Sequence, residues 1–276
     1  MIQLGSYNTL SILRSTSVGL FLGDDEGTEI LLPNKYVPHD FQIDDSMEVF
    51  CYLDHSERPV ATTLTPLVVR NSVASLEVVD LGPYGAFMDW GLEKNLLVPF
   101  REQRQPMEVG KKYLVLCYLD ETTFRLVGTR RLERHANKEP LDTPLNEPLE
   151  AWVYRKTPLG WELFLDSGHI GLVFHSDIFQ PLQEAERLTC YIKQIRPDGK
   201  IDLTLVPIGS KMLEPMAELV LQKLHDNNGV LTLHDKSEPE DIKRELQMSK
   251  KAFKKAIGTL YKAGKISLEA DHIKLV

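Results

Sequence analysis

Through the first three quarters of the chain, short apolar runs alternate with polar positions and are cut by Gly, Pro, Asn and Asp every few residues. "MEVFCYLD", "YLVLCYLD" and "RLTCYIKQI" carry the period of half-buried strands, not helices. Near residue 209 the period changes. Met212, Met216, Leu219, Val220 and Leu224 fall at helical spacing, and Asn227-Asn228-Gly229 is a stop signal. The pattern predicts a second helix over "SEPEDIKREL", with Ser237 as N-cap and Pro239 in its first turn. A third is predicted after Ser249, and Ile266–Leu268 and Ile273–Leu275 read as a strand pair around Glu-Ala-Asp.

The strand-rich part is a repeat. Cys51-Tyr-Leu-Asp54 recurs at Cys117-Tyr-Leu-Asp120, and Cys190-Tyr-Ile-Lys193 is a near copy. Gly19, Gly85 and Gly160 precede these cysteines by 32, 32 and 30 residues. The same glycines precede Pro33, Pro99 and Phe174 by 14 residues each. Three units of about seventy residues follow, each with about five short strands. With no C-x-x-C and no secretory leader pattern, the three cysteines read as small core residues, neither zinc ligands nor a disulfide framework. Five alternating strands with a glycine at a corner suit a small closed barrel, in which closure removes exposed edges.

Tyr84-Gly-Ala-Phe87, Leu97-Val-Pro-Phe-Arg101 and Val109-Gly-Lys-Lys-Tyr113 resemble the S-one domain, an RNA-binding OB-fold repeat. The third unit keeps Leu159-Gly-Trp161, Phe164 and Leu172-Val-Phe-His-Ser176; the first is the most degenerate. Helix, helix, helix and strand pair resembles a winged helix. The order of three S-one-like units and a winged helix is similar to the conserved virulence factor B family. The fold expected is multidomain and mainly β: OB-type barrels at 1–68, 69–140 and 141–208, then a small α+β winged helix at 209–276.

The resemblance implies an RNA-binding regulatory protein, without enzyme activity. Carried over by position, it implies base stacking by Tyr84 and Phe87, and by Trp161 and Phe174 with His175 adjacent. Pro99 stands at the family's histidine position, and the neighbouring Phe100 and Arg101 are the candidate contacts that take its place. In the first unit Leu20 and Pro33 leave little to stack on. Core filling is the competing role for each aromatic, most of all for Phe87 and Phe164.

Charge changes the picture only locally. The chain carries a net charge of −8, which speaks against a general polyanion binder. Residues 1–68 hold −7 of it, while 69–140 come to +1, 141–208 to −4 and 209–276 to +2. Ser249–Lys265 contains six lysines and no acid; Lys250, Lys251, Lys254 and Lys255 are the candidate contacts there, against the plain reading of a solvated helix face. Arg130 and Arg131, within a cluster that runs from Arg125 to Lys138, are the candidates in the second unit. Together the two clusters suggest a basic track, although a plain linker helix is the alternative for the arginines.

The eight histidines form no HExxH and no triad phrase, and there is no phosphate-binding glycine loop. No cofactor and no metal are expected. No apolar run approaches the ~20 residues of a membrane helix, so a cytoplasmic, monomeric protein is the expectation. RNA, single-stranded first, is the expected partner. Two alternatives stand beside it: a DNA-binding regulator working through the winged helix, and a protein-interaction scaffold on the ribosome or a nuclease, which the acidic first unit favours.

Overall fold

The computed structural model describes residues 1–178, 181–207 and 213–276, with side chains from residue 216 in the last stretch. Met212, assigned above to the first helix, lies outside the described residues. The chain forms two compact units, Met1–His135 and Ala136–Val276.

The first unit holds two five-stranded sheets. Strands β1 (Tyr7–Thr16), β2 (Gly19–Gly23), β3 (Glu29–Pro33), β4 (Ser46–Leu53) and β5 (Pro59–Thr62) close into a barrel in the order β1-β2-β3-β5-β4. The second sheet comprises β6 (Val73–Gly82), β7 (Gly85–Asp89), β8 (Leu96–Pro99), β9 (Lys112–Asp120) and β10 (Arg125–Thr129), in the order β10-β9-β6-β7-β8. Here the expected closure is incomplete. The first barrel zips shut with a parallel pair at Leu31 and Val60, but β8 and β10 share no ladder. They meet through side chains: a Cβ on Gly128 of β10 would stand 2.8 Å from Val98 Cγ2 of β8.

In the second unit, β11 (Pro148–Lys156), β12 (Gly160–Leu165), β13 (Ile170–Phe174), β14 (Arg187–Ile195) and β15 (Ile201–Thr204) form another closed barrel. Helices α1 (Leu213–Asp226), α2 (Pro239–Leu246) and α3 (Lys250–Lys262) follow, with a small sheet of β16 (Val230–Leu231), β17 (Ile266–Leu268) and β18 (Ile273–Leu275). The wing strands lie where the pattern places them; β16, too short for a periodic signal, completes the sheet in the order β16-β18-β17. Ser249 caps α3, its Oγ accepting from Ala252 N–H at 3.2 Å. Ser237 does not cap α2. Glu238 is the N-cap residue, and Ser237 Oγ instead accepts from His234 N–H in the preceding turn.

The 14-residue spacing is a pairing register. Gly19 pairs with Pro33, Gly85 with Pro99 and Gly160 with Phe174. A Cβ on these glycines would lie 2.0, 2.1 and 1.9 Å from the carbonyl oxygens of Leu32, Val98 and Val173, so only glycine fits. The cysteines are buried free thiols on β4, β9 and β14, and desolvation pushes each thiol up to about 12. They are inert at neutral pH, as expected.

The two sheets of the first unit share a core. Val49, Phe50, Cys51 and Tyr52 are all buried, because β4 faces its own barrel on one side and the second sheet on the other. Phe50 and Tyr52 meet Trp90 edge-on at centroid distances of 5.9 and 6.3 Å. Each such pair is worth about 0.5–1.5 kcal/mol beyond its buried area. Leu67 N–H donates to Trp90 O at 2.7 Å, and Lys35 pairs with Glu93 across the same boundary.

Candidate nucleic-acid interface

Directly opposed residues of antiparallel strands share a face, which settles where each candidate points. On β7 and β8, Ala86 opposes Val98 inside the sheet, while Phe87 opposes Leu97 outside. Phe87 is half-buried on the outer face, and its ring leaves no room for a side chain at Gly82, 2.7 Å from where a Cβ would sit. Tyr84, at the tip of the β6–β7 hairpin, is 73% exposed. Phe100 is also exposed and adjoins it, with its N–H donating to Tyr84 O at 3.2 Å. Tyr84 and Phe87 line a cleft of about 200 Å³ together with Lys94, Arg125, Tyr52 and Trp90. One exposed and one half-buried aromatic beside two cations offer stacking and phosphate attraction at one place.

The arginine cluster is mostly framework. Arg130 is buried, and its guanidinium lies 4.5 Å from the centre of the Tyr113 ring, so it is not on an open surface. Arg131 donates to the carbonyls of Arg101 and Gln103 at 2.9 and 3.3 Å and holds the turn after β8. Arg101 is exposed but paired with Asp120 at 2.8 Å. Hydrogen bonds from Thr122 N–H and Thr123 N–H, together with Arg101, hold the Asp120 carboxyl below its usual range.

The third barrel does not repeat the aromatic face. Trp161 opposes buried Val173 and packs on the barrel core, so it lies on the inner side, half-buried. The position equivalent to Phe87 is Glu162, two residues beyond the hairpin glycine, and it is paired with Arg155. Phe174 is half-buried on the outer side opposite Gly160, with the Arg196 guanidinium 5.5 Å from its ring centre. Arg196 in turn pairs with Asp202 at 2.8 Å. His175 is exposed, and its Nε2 donates to Thr157 O at 3.1 Å.

The same rule uncovers a residue that reading by motif missed. In the first barrel Leu20 opposes Leu32 inside, and Phe21 opposes Leu31 outside. Phe21 thus holds the Phe87 position, with the Arg14 guanidinium 4.2 Å over its ring and bridged to Glu29. The period-two rule applied from Gly19 finds it; counting one residue from the glycine lands on Leu20, in the core.

On α3, Ala252, Phe253, Ala256, Ile257 and Leu260 are buried, and Lys251, Lys254 and Lys255 are exposed on the opposite side. Among the described residues no carboxylate lies within ion-pair distance of those three lysines. Lys250 is half-buried, its Nζ 3.4 Å from Lys236 O. Gly258 lies in open space on the lysine side.

Among the described residues no cluster of three or more His, Cys, Asp or Glu could hold a metal ion, and no helix is long and apolar enough to cross a membrane.

Five-stranded barrels of this order with a small winged domain define a nucleic-acid-binding class, and the comparisons agree. Residues 4–64 match the S1 domain (the S-one domain above), and residues 218–275 match the CvfB-like winged helix domain. Both are nucleic-acid-binding domain families. The S1 match falls on the first barrel, the unit whose motif is weakest by eye. The chain is 32% identical to the uncharacterized protein YitL of Bacillus subtilis, over 96% of this chain and 91% of that protein. It is 26% identical to conserved virulence factor B of Staphylococcus epidermidis (ATCC 12228), over 99% and 94%. A multidomain protein with nucleic acid binding domains from Streptococcus pneumoniae, 26% identical, aligns over 99% of this chain and 98% of its own with a TM-score of 0.44. The chain belongs to the conserved virulence factor B family.

Proposed function

We propose that this protein binds RNA, single-stranded or structured, through its OB-type barrels and winged helix, and acts in the cytoplasm as a regulator of gene expression without catalytic activity. The division into 1–68, 69–140, 141–208 and 209–276 belongs to this reading. The observation that carries it is the outer face of the second sheet, where Tyr84 and Phe87 stand in a cleft beside Lys94 and Arg125. Each stacked base contributes ~1–3 kcal/mol and every base has a face to stack, so such a site is tolerant of sequence. Several weak sites on one chain give useful affinity through effective concentration.

A second reading has its own support. The unpaired Lys251, Lys254 and Lys255 on α3, with Gly258 open beside them, suit a backbone-contacting helix on duplex DNA. Fluorescence anisotropy with labelled oligo-U, oligo-A and a duplex DNA at two salt concentrations separates the two. Salt-sensitive RNA binding that falls with Tyr84→Ala and Phe87→Ala supports the RNA reading. Duplex-only binding that falls with Lys254→Ala would replace it with the DNA reading, and absence of binding to all three would leave the protein scaffold.

A further inference from the structure

The cleft of the second sheet is bordered by an acid from the neighbouring barrel. Glu57 sits at the tip of the β4–β5 hairpin with a left-handed backbone, φ 61°. Asp54 wires this turn: its carboxylate accepts from Ser56 N–H at 2.8 Å and Arg58 N–H at 3.0 Å, and its carbonyl accepts from Glu57 N–H at 3.0 Å. Burial pushes the Asp54 carboxyl up, but the hydrogen bonds from Arg58 and Ser56 outweigh it and leave the group below its usual range. The hairpin is then tied to the second sheet. Lys94 Nζ donates to Asp54 O at 2.8 Å and to Glu57 Oε1 at 2.9 Å, and Arg125 Nε lies 3.1 Å from Glu57 Oε2. All three charged side chains line the same cleft as Tyr84 and Phe87.

An anion here is out of place if the cleft exists only to attract phosphate, because it offsets the two cations and repels the backbone. It suits a base edge. A carboxylate accepts at about four lone-pair sites and an arginine has five donors, so Glu57, with Lys94 on Oε1 and Arg125 on Oε2, keeps a second site on each oxygen, and Arg125 keeps donors, for a ligand. The paired side chains present an acceptor directly beside a donor. Guanine is the base whose pairing edge matches this: O6 accepts while the adjacent N1–H and N2–H donate together. Uracil offers one donor between two acceptors, and adenine and cytosine one amino group at the end of the edge, so none of the three presents two adjacent donor positions to a carboxylate.

Resting on the RNA-binding reading above, we propose that the first barrel completes the binding site of the second sheet: one guanine of single-stranded RNA stacks on Tyr84 and Phe87, with Glu57 accepting from N1–H and N2–H and Arg125 donating to O6. The acidic first barrel is then part of the recognition surface and selects the base, while the aromatic face supplies affinity.

The test uses the full chain and four labelled RNA heptamers, U3-X-U3 with X as G, A, C or U, in anisotropy titrations. The wild-type protein binds the G heptamer about tenfold more tightly than the other three, the discrimination expected of one bidentate contact. Glu57→Gln brings the four within about twofold of one another, while affinity for the all-U heptamer holds or improves because a repelling charge is gone. Arg125→Gln, at a half-exposed side chain that the fold tolerates, also weakens the G preference. Tyr84→Ala lowers all four together. Equal wild-type affinity for the four heptamers, or a G preference that survives Glu57→Gln, overturns the proposal and leaves RNA binding in place. Failure to bind any heptamer removes both.

Discussion

Two residues beyond its hairpin glycine the second sheet places Phe87 on its outer face; at the same register position the third barrel places Glu162, locked to Arg155. One residue beyond the glycine, on the inner face, the sizes are reversed: Ala86 in the second sheet and Trp161 in the third barrel. The frame of the two units is the same down to the carbonyl that each glycine touches. What faces solvent is not: an aromatic pair lines a cleft in one, and an ion pair replaces it in the other. The repeat therefore keeps the hairpin register and its glycine and leaves the outer face free to diverge. A third barrel that contacts nucleic acid would do so by charge and by Phe174, not by a copy of the second unit's aromatic pair.

The shared frame breaks first at its glycines. Gly85→Ala and Gly160→Ala each drive a methyl group to about 2 Å from a backbone carbonyl that cannot move aside. Each costs about 3 kcal/mol or more through overpacking, to which Gly85, at φ 156°, adds backbone strain; both are read as a lowered urea midpoint. Equal tolerance of alanine at both would mean that the hairpin is looser than its register implies. Next comes the inner face. Trp161→Ala lowers stability by about 2–3 kcal/mol, the cost of emptying a partly buried core position, and leaves RNA affinity nearly unchanged. A large affinity loss at unchanged stability would move Trp161 back among the binding residues.

The outer faces separate by affinity. Phe87→Ala weakens oligo-U binding about tenfold, within the range for one stacked base, whereas Glu162→Ala leaves it unchanged or slightly stronger. Equal losses would show that the two faces contribute alike. The smallest effect is on pH. His135 stacks on Tyr118 at 4.4 Å, and burial holds its imidazole below the ordinary 6.5, while Glu102 and Glu133 act in the opposite direction and Arg134 adds to the lowering. A group whose folded pKa is depressed gives stability that is full above its unfolded value. That stability declines as pH falls from about 6.5 towards the folded value. The wild-type urea midpoint drops slightly between pH 7.5 and 5.5, and His135→Gln flattens that slope; no change in slope would remove His135 as its source.

The barrels, their number and the winged helix were legible from the chain because they rest on local rules. Period-two apolar runs, a glycine 14 residues before its partner, and helical spacing with Ser249 as cap each require only neighbours in sequence or one strand pairing. The strand of Val49-Phe50-Cys51-Tyr52 reads as half-buried, yet it is buried on both faces because the second sheet covers its outer side. The site was legible only in part. Tyr84 and Phe87 followed from the motif, but Phe21 and the inward turn of Trp161 needed the strand register. Arg130 and Arg131 read as free cations, although charge runs are usually solvated faces; the burial of Arg130 and the carbonyl contacts of Arg131 come from a turn and a strand brought together by folding.

Sequence by itself determined the repeat frame, the strand and helix periods and the inert cysteines, because each follows from steric fit or burial of nearby residues. Tertiary structure alone decided that Glu57, Lys94 and Arg125, remote in the chain, border one cleft, and that the second sheet meets its own edge through side chains instead of a ladder. Long-range packing, here Trp90 set edge-on against Phe50 and Tyr52, is what brings those charges together, and no local periodicity encodes it.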